Sequence, residues 1–271
     1  MATIPFSDRE FKRISEIMYE AAGLSYNDSK KSLIQSRLAP RIQKMGFGGF
    51  ADYIAILEDE SEAAEFQMAV DLLTTNETYF FREPKHYDLL QQELPALADK
   101  SSIAVWSAAS SFGDEAYSTA MLLSDLQMSG RVGPGWSILA TDISHRVLLS
   151  AKEAVYPEDR LRAVSPDRLR RYCLRGDGPS EGQVLLQEKI RSRVQFGQLN
   201  LCKPFSGLGP FDVIFLRNVL IYFDPPTKVD VVDRVLTALK PGGLFFLGTA
   251  EGRVPCKTPL QTVIPGAFRK L

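Results

Sequence analysis

With 271 residues, 45% of them hydrophobic and 24% charged, and a mean hydropathy of -0.09, the chain has room for one large domain and a small one, and is neither fibrous nor disordered. Its 32 Lys and Arg stand against 33 Asp and Glu, a net charge of -1 that lacks the basic excess of a protein holding nucleic acid by its phosphates. Cys173, Cys202 and Cys256 form no Cys-x-x-Cys pair and have no neighbouring His, which argues against a disulfide framework or a structural zinc site and fits a reducing cytosol. The N-terminus carries no basic region followed by an apolar core, and no stretch approaches the ~20 apolar residues of a membrane span, so a cytoplasmic, uninserted protein is expected.

Up to residue 74 the apolar positions recur at helical spacing, as in Phe11, Ile14, Ile17 and Met18, or Leu33, Ile34, Leu38 and Ile42, with Ser7 and Asn27 or Asp28 as N-caps. A small all-α domain over 1–74 is predicted, followed by a linker at 75–85. From Ser102 onward short apolar runs alternate with amphipathic segments: Ile103 to Ala108, a helix from about Glu115, Trp136 to Thr141, a helix from Ser144. That alternation predicts an α/β domain over 86–271 built on a mostly parallel, Rossmann-like sheet. Leu239-Lys240-Pro241-Gly242-Gly243 reads as the end of a helix begun near Pro226, turning into the buried strand Leu244 to Gly248. The turn-rich run Gly176 to Gly182, followed by Gln183–Gln187 and Arg193–Phe196, predicts a small antiparallel β insertion at about 174–198.

Two distant segments mix polar and ionisable residues with aromatics: Thr75-Asn76-Glu77-Thr78-Tyr79-Phe80-Phe81-Arg82-Glu83 and Arg217-Asn218-Val219-Leu220-Ile221-Tyr222-Phe223-Asp224. The second follows the apolar run Phe211 to Leu216, which places Arg217 and Asn218 at the carboxyl end of a buried strand, where open α/β sheets bind ligands. After the first strand, Ser107-Ala108-Ala109-Ser110-Ser111 brings small residues and backbone amides together, but only Gly113 of this loop is glycine and Glu115 would repel a pyrophosphate. The next strand ends in Thr141-Asp142, a carboxylate able to accept both hydroxyls of a ribose. An adenosine without phosphates is favoured, and S-adenosylmethionine, whose cations suit carboxylates, meets that description.

In these two segments the chain resembles the CheR-type chemotaxis receptor methyltransferases, from about Phe6 to the C-terminus; the Leu-Lys-Pro-Gly-Gly turn is shared more widely. The resemblance implies transfer of a methyl group from S-adenosylmethionine to glutamate side chains on the cytoplasmic helical bundle of chemoreceptors, with S-adenosylhomocysteine as product and no metal. Position by position it implies a cofactor site of Asn76, Thr78, Arg82, Glu115, Asp142, Asn200, Leu201, Arg217 and Asn218, with Arg82 and Tyr222 near the transferred methyl. It further implies that a basic N-terminal helix, through Arg37, Arg41 and Lys44, docks on the receptor, and that the loop at Gly176 and Gly178 belongs to the part that takes up the receptor's C-terminal tail peptide as an added strand. Phe112 departs from the family, standing where relatives carry a small threonine, and is expected to crowd the cofactor loop; Gly248 to Glu251 lacks the His-Ser common after the fifth strand.

Each of these residues also has a plainer reading. The aromatics could be core, the basic helix a solvated face, Asp142 a helix cap, and Arg82 with Glu83 or Arg217 with Asp224 structural ion pairs. His86 and His145 carry no sign of ligand or base roles. Asn76 and Asn218 resist a plain reading, because a buried amide needs several partners. A methyltransferase with another substrate, or a module that binds the cofactor and signals without turnover, would share these features.

Overall fold

Ser7 opens the first helix with a reciprocal cap: its hydroxyl accepts the Glu10 N–H at 3.3 Å while the Glu10 carboxylate accepts the Ser7 N–H at 2.7 Å, satisfying two orphan donors of the helix. In the computed structural model, which describes residues 4–97 and 102–271, this helix, α1 (Asp8–Ala22), is followed by α2 (Lys31–Lys44), α3 (Phe50–Leu57) and α4 (Ala63–Leu73). The first three residues of the expected 1–74 domain lie outside the described ones. Phe11, Ile14, Ile17 and Met18 bury one stripe of α1 against Ile34, Leu38 and Ile42 of α2 and Phe50 and Tyr53 of α3, a core of its own. Pro40 lies inside α2, and the helix runs on through it.

The chain continues through α5 (Pro84–Leu97), β1 (Ala104–Ser107), α6 (Asp114–Met128), β2 (Ser137–Asp142), α7 (His145–Glu153) and β3 (Val155–Pro157). Then come α8 (Pro166–Tyr172), β4 (Cys173–Arg175), β5 (Gln183–Leu186), the single turn α9 (Glu188–Arg191), β6 (Val194–Gln198) and β7 (Phe211–Leu216). It ends with α10 (Pro225–Thr237), β8 (Leu239–Leu247), β9 (Leu260–Ile264) and β10 (Ala267–Lys270). The large sheet has the order β6-β2-β1-β7-β8-β10-β9, parallel from β6 to β8, with β10 antiparallel to both its neighbours. Period-2 alternation splits its side chains between two cores: Trp106, Ile214 and Phe245 pack with Val231, Val232 and Val235 of α10, and Val105, Val213 and Phe246 with Ala120, Met121 and Leu123 of α6.

Two expectations change here. Arg193–Phe196 does not belong to the small sheet: β6 pairs in parallel with β2, Ile138 opposite Val194 and Ala140 opposite Phe196, at the edge of the large sheet. The antiparallel sheet is β3-β5-β4, so it draws its first strand from Val155–Pro157, upstream of the expected insertion. Alternation marks a strand but says nothing of its partner. The Leu239–Gly243 segment, likewise, is not a helix end. The helix stops at Thr237, and Leu239 already pairs with Phe211 before an irregularity admits Gly242 at φ 77° and the pairing resumes at Val213–Leu244.

The helical domain is tied to the sheet by the carbonyl end of α1. Lys203 Nζ donates to Glu20 O at 3.1 Å, Asn200 Nδ2 to Ala21 O at 2.7 Å, and Cys202 Sγ lies 3.3 Å from Ala22 O, so residues after β6 satisfy acceptors that the helix leaves open. Gly23 ends α1 in the left-handed conformation at φ 68°, with the site of an added Cβ 2.5 Å from Cys202 Sγ. Among the described residues no helix is long and apolar enough to cross a membrane.

Gly23→Ala is expected to destabilise the protein by at least the ~1 to 2 kcal/mol of a left-handed non-glycine residue, read as a lower midpoint in urea. The double variant with Cys202→Ala should recover the part due to the collision, and no recovery would show that backbone strain alone accounts for the loss.

Candidate active site

β1 lies between β2 and β7, so the chain leaves it toward opposite sides of the sheet, and a crevice opens beyond the carboxyl ends of these strands. A cavity of about 940 Å³, open solvent at its mouth included, occupies that crevice. Its wall combines the loop after β1 (Ala108 to Ser111), Asp142 and Ile143 after β2, Leu199 to Leu201 after β6, Arg217 to Val219 after β7, and Thr74 to Tyr79 with Arg82 from the linker. Ala22 and Leu24 close it from the helical domain.

Arg217 is the electrostatic centre of one wall. Its side chain is 2% exposed, with Nη1 3.1 Å from Glu115 Oε2 and Nη2 3.3 Å from Glu83 Oε2, and its guanidinium stands 5.9 Å from the ring centres of Tyr87 and Phe215. Glu115 also accepts the Ser107 hydroxyl at 2.7 Å, and burial raises its carboxyl pKa above the usual range against the pull of Arg217. Glu83 in turn accepts the Thr249 N–H and faces His86 Nδ1 at 3.2 Å; that imidazole is fully buried, its pKa lowered by desolvation and by Arg217. The ion pairs anticipated from sequence are therefore replaced: Glu83 pairs with Arg217 rather than Arg82, and Asp224 caps α10, accepting the Thr227 N–H at 2.9 Å and the Tyr19 hydroxyl at 2.8 Å.

Asp142 at the end of β2 is 7% exposed; one carboxylate oxygen accepts the Ser111 N–H at 2.8 Å and the other the Ser144 N–H at 3.0 Å. Asp142 thus caps the start of α7 while lining the cavity, and burial raises this carboxyl pKa as well. The buried Ser110 hydroxyl lines the cavity without a protein partner. Phe112 overturns its expectation. It does not line the cavity but, half-buried, packs against the core on the α6 side of the sheet, with the guanidinium groups of Arg160 and Arg146 4.8 and 5.5 Å from its ring centre. Gly113, at φ 88°, closes the loop tightly; a Cβ there would stand 3.1 to 3.2 Å from Ala151, Phe196 and Tyr117.

The remaining predicted residues divide. Asn76, Thr78, Arg82, Asn200, Leu201, Asn218 and Tyr222 all line the cavity. The Asn76 carbonyl accepts the Ser111 hydroxyl at 3.0 Å, Arg82 Nη1 donates to Glu77 O at 3.0 Å, and the Tyr222 hydroxyl donates to Thr75 O at 3.4 Å. Asn200 spends its carboxamide on Ala21 O and the Cys202 N–H, so it acts on the domain junction as much as on the cavity. Arg37 and Arg41 turn inward: Arg37 donates to Leu73 O, Thr74 O and Thr75 Oγ1, and Arg41 pairs with Glu65, which also accepts the Tyr53 hydroxyl. Lys44 is exposed; Gly176 and Gly178 lie in the turn joining β4 and β5, away from the cavity. Sequence reasoning missed Tyr87, Glu83 as the partner of Arg217, and Glu251, whose carboxylate accepts backbone N–H groups of the Arg217–Tyr222 loop. Glu83 ends the first motif, and only its partner was mistaken; a lone glutamate in a loop gives no signal.

Among the ionisable side chains of the wall, Glu77, Glu115 and Asp142 outnumber Arg82 and Arg217, and no lysine takes part. A ligand of phosphates would meet net repulsion there, whereas a cationic ligand would meet carboxylates, and the Ser110 hydroxyl is unpartnered. Fold and site together define an S-adenosylmethionine-dependent methyltransferase.

Comparison with known proteins carries this further. Residues 76–264 match the family described as CheR methyltransferase, SAM binding domain, and residues 9–74 match the CheR methyltransferase all-alpha domain. The chain is 41% identical over 249 residues to the chemotaxis protein methyltransferase of Klebsiella aerogenes, covering 92% of this chain and 84% of that one. It is 39% identical over 249 residues to the chemotaxis protein methyltransferase of Escherichia coli K12, covering 92% and 86%, and 39% over 260 residues to chemotaxis protein methyltransferase 2 of Pseudomonas aeruginosa, covering 95% and 91%. The chain belongs to the CheR methyltransferase family.

Arg217→Met leaves Glu83 and Glu115 facing each other without a countercharge, and should cost about 3 to 5 kcal/mol in urea unfolding at neutral pH. The sign with pH follows from the raised Glu115 pKa: the folded variant binds a proton that the unfolded chain, with glutamate near ~4.3, does not. Its stability relative to wild type should therefore rise as pH falls from 7 toward that range; a deficit independent of pH would exclude charge burial as the cause.

Proposed function

We propose that this enzyme transfers the methyl group of S-adenosylmethionine to the side-chain carboxylate of glutamates on the cytoplasmic helices of chemoreceptors, giving glutamate methyl esters. The observation that carries the proposal is the junction of Arg82 and Tyr222 at one cavity with the Asp142 and Glu115 carboxylates, in a chain whose relatives are named chemotaxis protein methyltransferases.

When bound, S-adenosylmethionine supplies an electrophilic methyl on a sulfonium and leaves as S-adenosylhomocysteine. The glutamate nucleophile is already ionised in a neutral cytosol, so the protein needs no general base. Its task is alignment, which can supply ~7 to 11 kcal/mol of the barrier. Arg82 donates one of its N–H groups to Glu77 O and stands 5.8 Å from the Tyr79 ring centre, which orients the guanidinium to hold one carboxylate oxygen of the substrate. Tyr222, half-buried and braced on Thr75 O, is assigned the other oxygen. Asn76, Thr78, Asn218 and Arg217 are assigned to the methionine end, Asp142 to the ribose, and Asn200 and Leu201 to the adenine.

For receptor docking the charge falls mainly to Lys44 and Lys30, both exposed, because Arg37 and Arg41 are engaged within the domain. The edge strand β4 and the turn at Gly176 and Gly178 are assigned to a tail peptide joining as a further strand. The reading as a cofactor-binding module without turnover drew its support from Phe112, which faces away from the cavity.

Purified protein incubated with methyl-labelled S-adenosylmethionine and a receptor cytoplasmic fragment should transfer label that alkali releases, as an ester requires. Asp142→Ala should weaken calorimetric binding of S-adenosylhomocysteine at least about tenfold, and Tyr222→Phe should slow turnover with that binding retained. Cofactor binding without transfer, or alkali-stable label, would remove glutamate as the acceptor.

A further inference from the structure

The loop bearing Asn218 and Tyr222 is held from outside the cavity by one carboxylate. Glu251, four residues beyond the end of β8, does not line the cavity. Its Oε2 accepts the Asn218 N–H at 2.8 Å and the Gly248 N–H at 2.7 Å, and its Oε1 accepts the Leu220 N–H at 2.7 Å. A single oxygen thereby joins the loop that follows β7 to the residue that follows β8, and the second oxygen anchors the turn Leu220–Tyr222. Asn218 has φ 59°, a conformation that a non-glycine residue keeps only where its surroundings impose it. Packing supports the same clip: a Cβ added at Gly248 would stand 2.5 Å from Asn218 Nδ2 and 2.8 Å from Glu251 Oε2.

We propose that Glu251 is a positioning residue, setting the backbone from Asn218 to Tyr222 and through it both the methionine end of the cofactor and the glutamate to be methylated. The inference rests on the cavity being the cofactor site. In Glu251→Gln one acceptor becomes an amide donor facing backbone N–H groups, so the loop must move.

The test is a double-mutant cycle, with S-adenosylhomocysteine binding measured by calorimetry on wild type, Glu251→Gln, Asn218→Ala and the pair. Glu251→Gln is expected to weaken binding about ten- to a hundredfold and to slow turnover, yet to cost less than about threefold on the Asn218→Ala background, because the two act as one unit. A general loss of structure would give additive effects, and additivity or wild-type binding by Glu251→Gln overturns the proposal. Should Glu251→Gln fail to fold, Gly248→Ala crowds the same clip with the carboxylate in place; it should weaken binding alone and lose part of that effect when Asn218→Ala removes the colliding amide, the 2.8 Å approach to Glu251 Oε2 remaining. Wild-type affinity in Gly248→Ala would equally overturn it. Failure of the wild-type protein to bind S-adenosylhomocysteine would instead overturn the site assignment.

Discussion

A guanidinium taken almost wholly out of water is the constraint from which the rest of the site follows. Burying such a cation costs several kcal/mol unless carboxylates of good geometry accompany it, and Arg217 at the end of β7 has two, from widely separated parts of the chain. Glu115 comes with the first turn of α6, and Glu83 with the segment that leaves the linker. The three groups satisfy one another only when sheet, helix and linker are all in place. The linker bears the backbone cost: Phe81 and Glu83 have φ of 55° and 60°, outside the range most side chains prefer, and the Phe81 N–H is held by the Ser118 hydroxyl at 2.9 Å. The polypeptide between the two domains is thereby part of the site's wall as well as a connection.

The helical domain enters the site by the same logic of unsatisfied groups. The carbonyl end of α1 needs donors, and Lys203, Asn200 and the Cys202 thiol meet it from the loop after β6, the loop that also supplies Leu199 to Leu201 to the cavity. Ala22 and Leu24 are carried into the wall by that junction. Gln67 of α4 adds a bond to Ile143 O at 3.1 Å, and Asp71 accepts the Arg146 N–H at 3.2 Å, so α4 is fastened beside β2 as well. A domain that could have been a separate docking module is a structural part of the cavity's wall.

For the chemistry proposed, this rigidity is what matters. An ionised carboxylate attacking a sulfonium-bound methyl asks the protein for no proton transfer, only for placement and a shielded electrostatic surrounding. Two of the wall's three carboxylates are already committed to protein donors: Glu115 to Ser107 and Arg217, Asp142 to backbone N–H groups. Arg82 is less engaged, with one bond to its own segment, as suits a group assigned to hold a substrate oxygen.

The sequence by itself determined the class of fold, because helical periodicity up to α4 and the strand-helix alternation from β1 are local properties of the chain. It also marked the two motifs, since Asn76, Arg82, Arg217 and Asn218 are polar groups set among aromatics where packing alone would not place them. What it could not specify was partnership. The run at Val194 has the alternation of any strand, and only pairing with β2 decided that it belongs to the large sheet. Glu83 stood beside Arg82 in sequence yet turns to Arg217, and Arg37 and Arg41 looked like an exposed basic face until the linker carbonyls and Glu65 claimed them. Phe112 looked like an obstruction because the core and the two arginines it packs against come from elsewhere in the chain. Periodicity and residue type act over a few neighbours and survive in a linear string, whereas the choice of partner for a buried charge or a backbone donor is settled among groups that only the folded chain brings together.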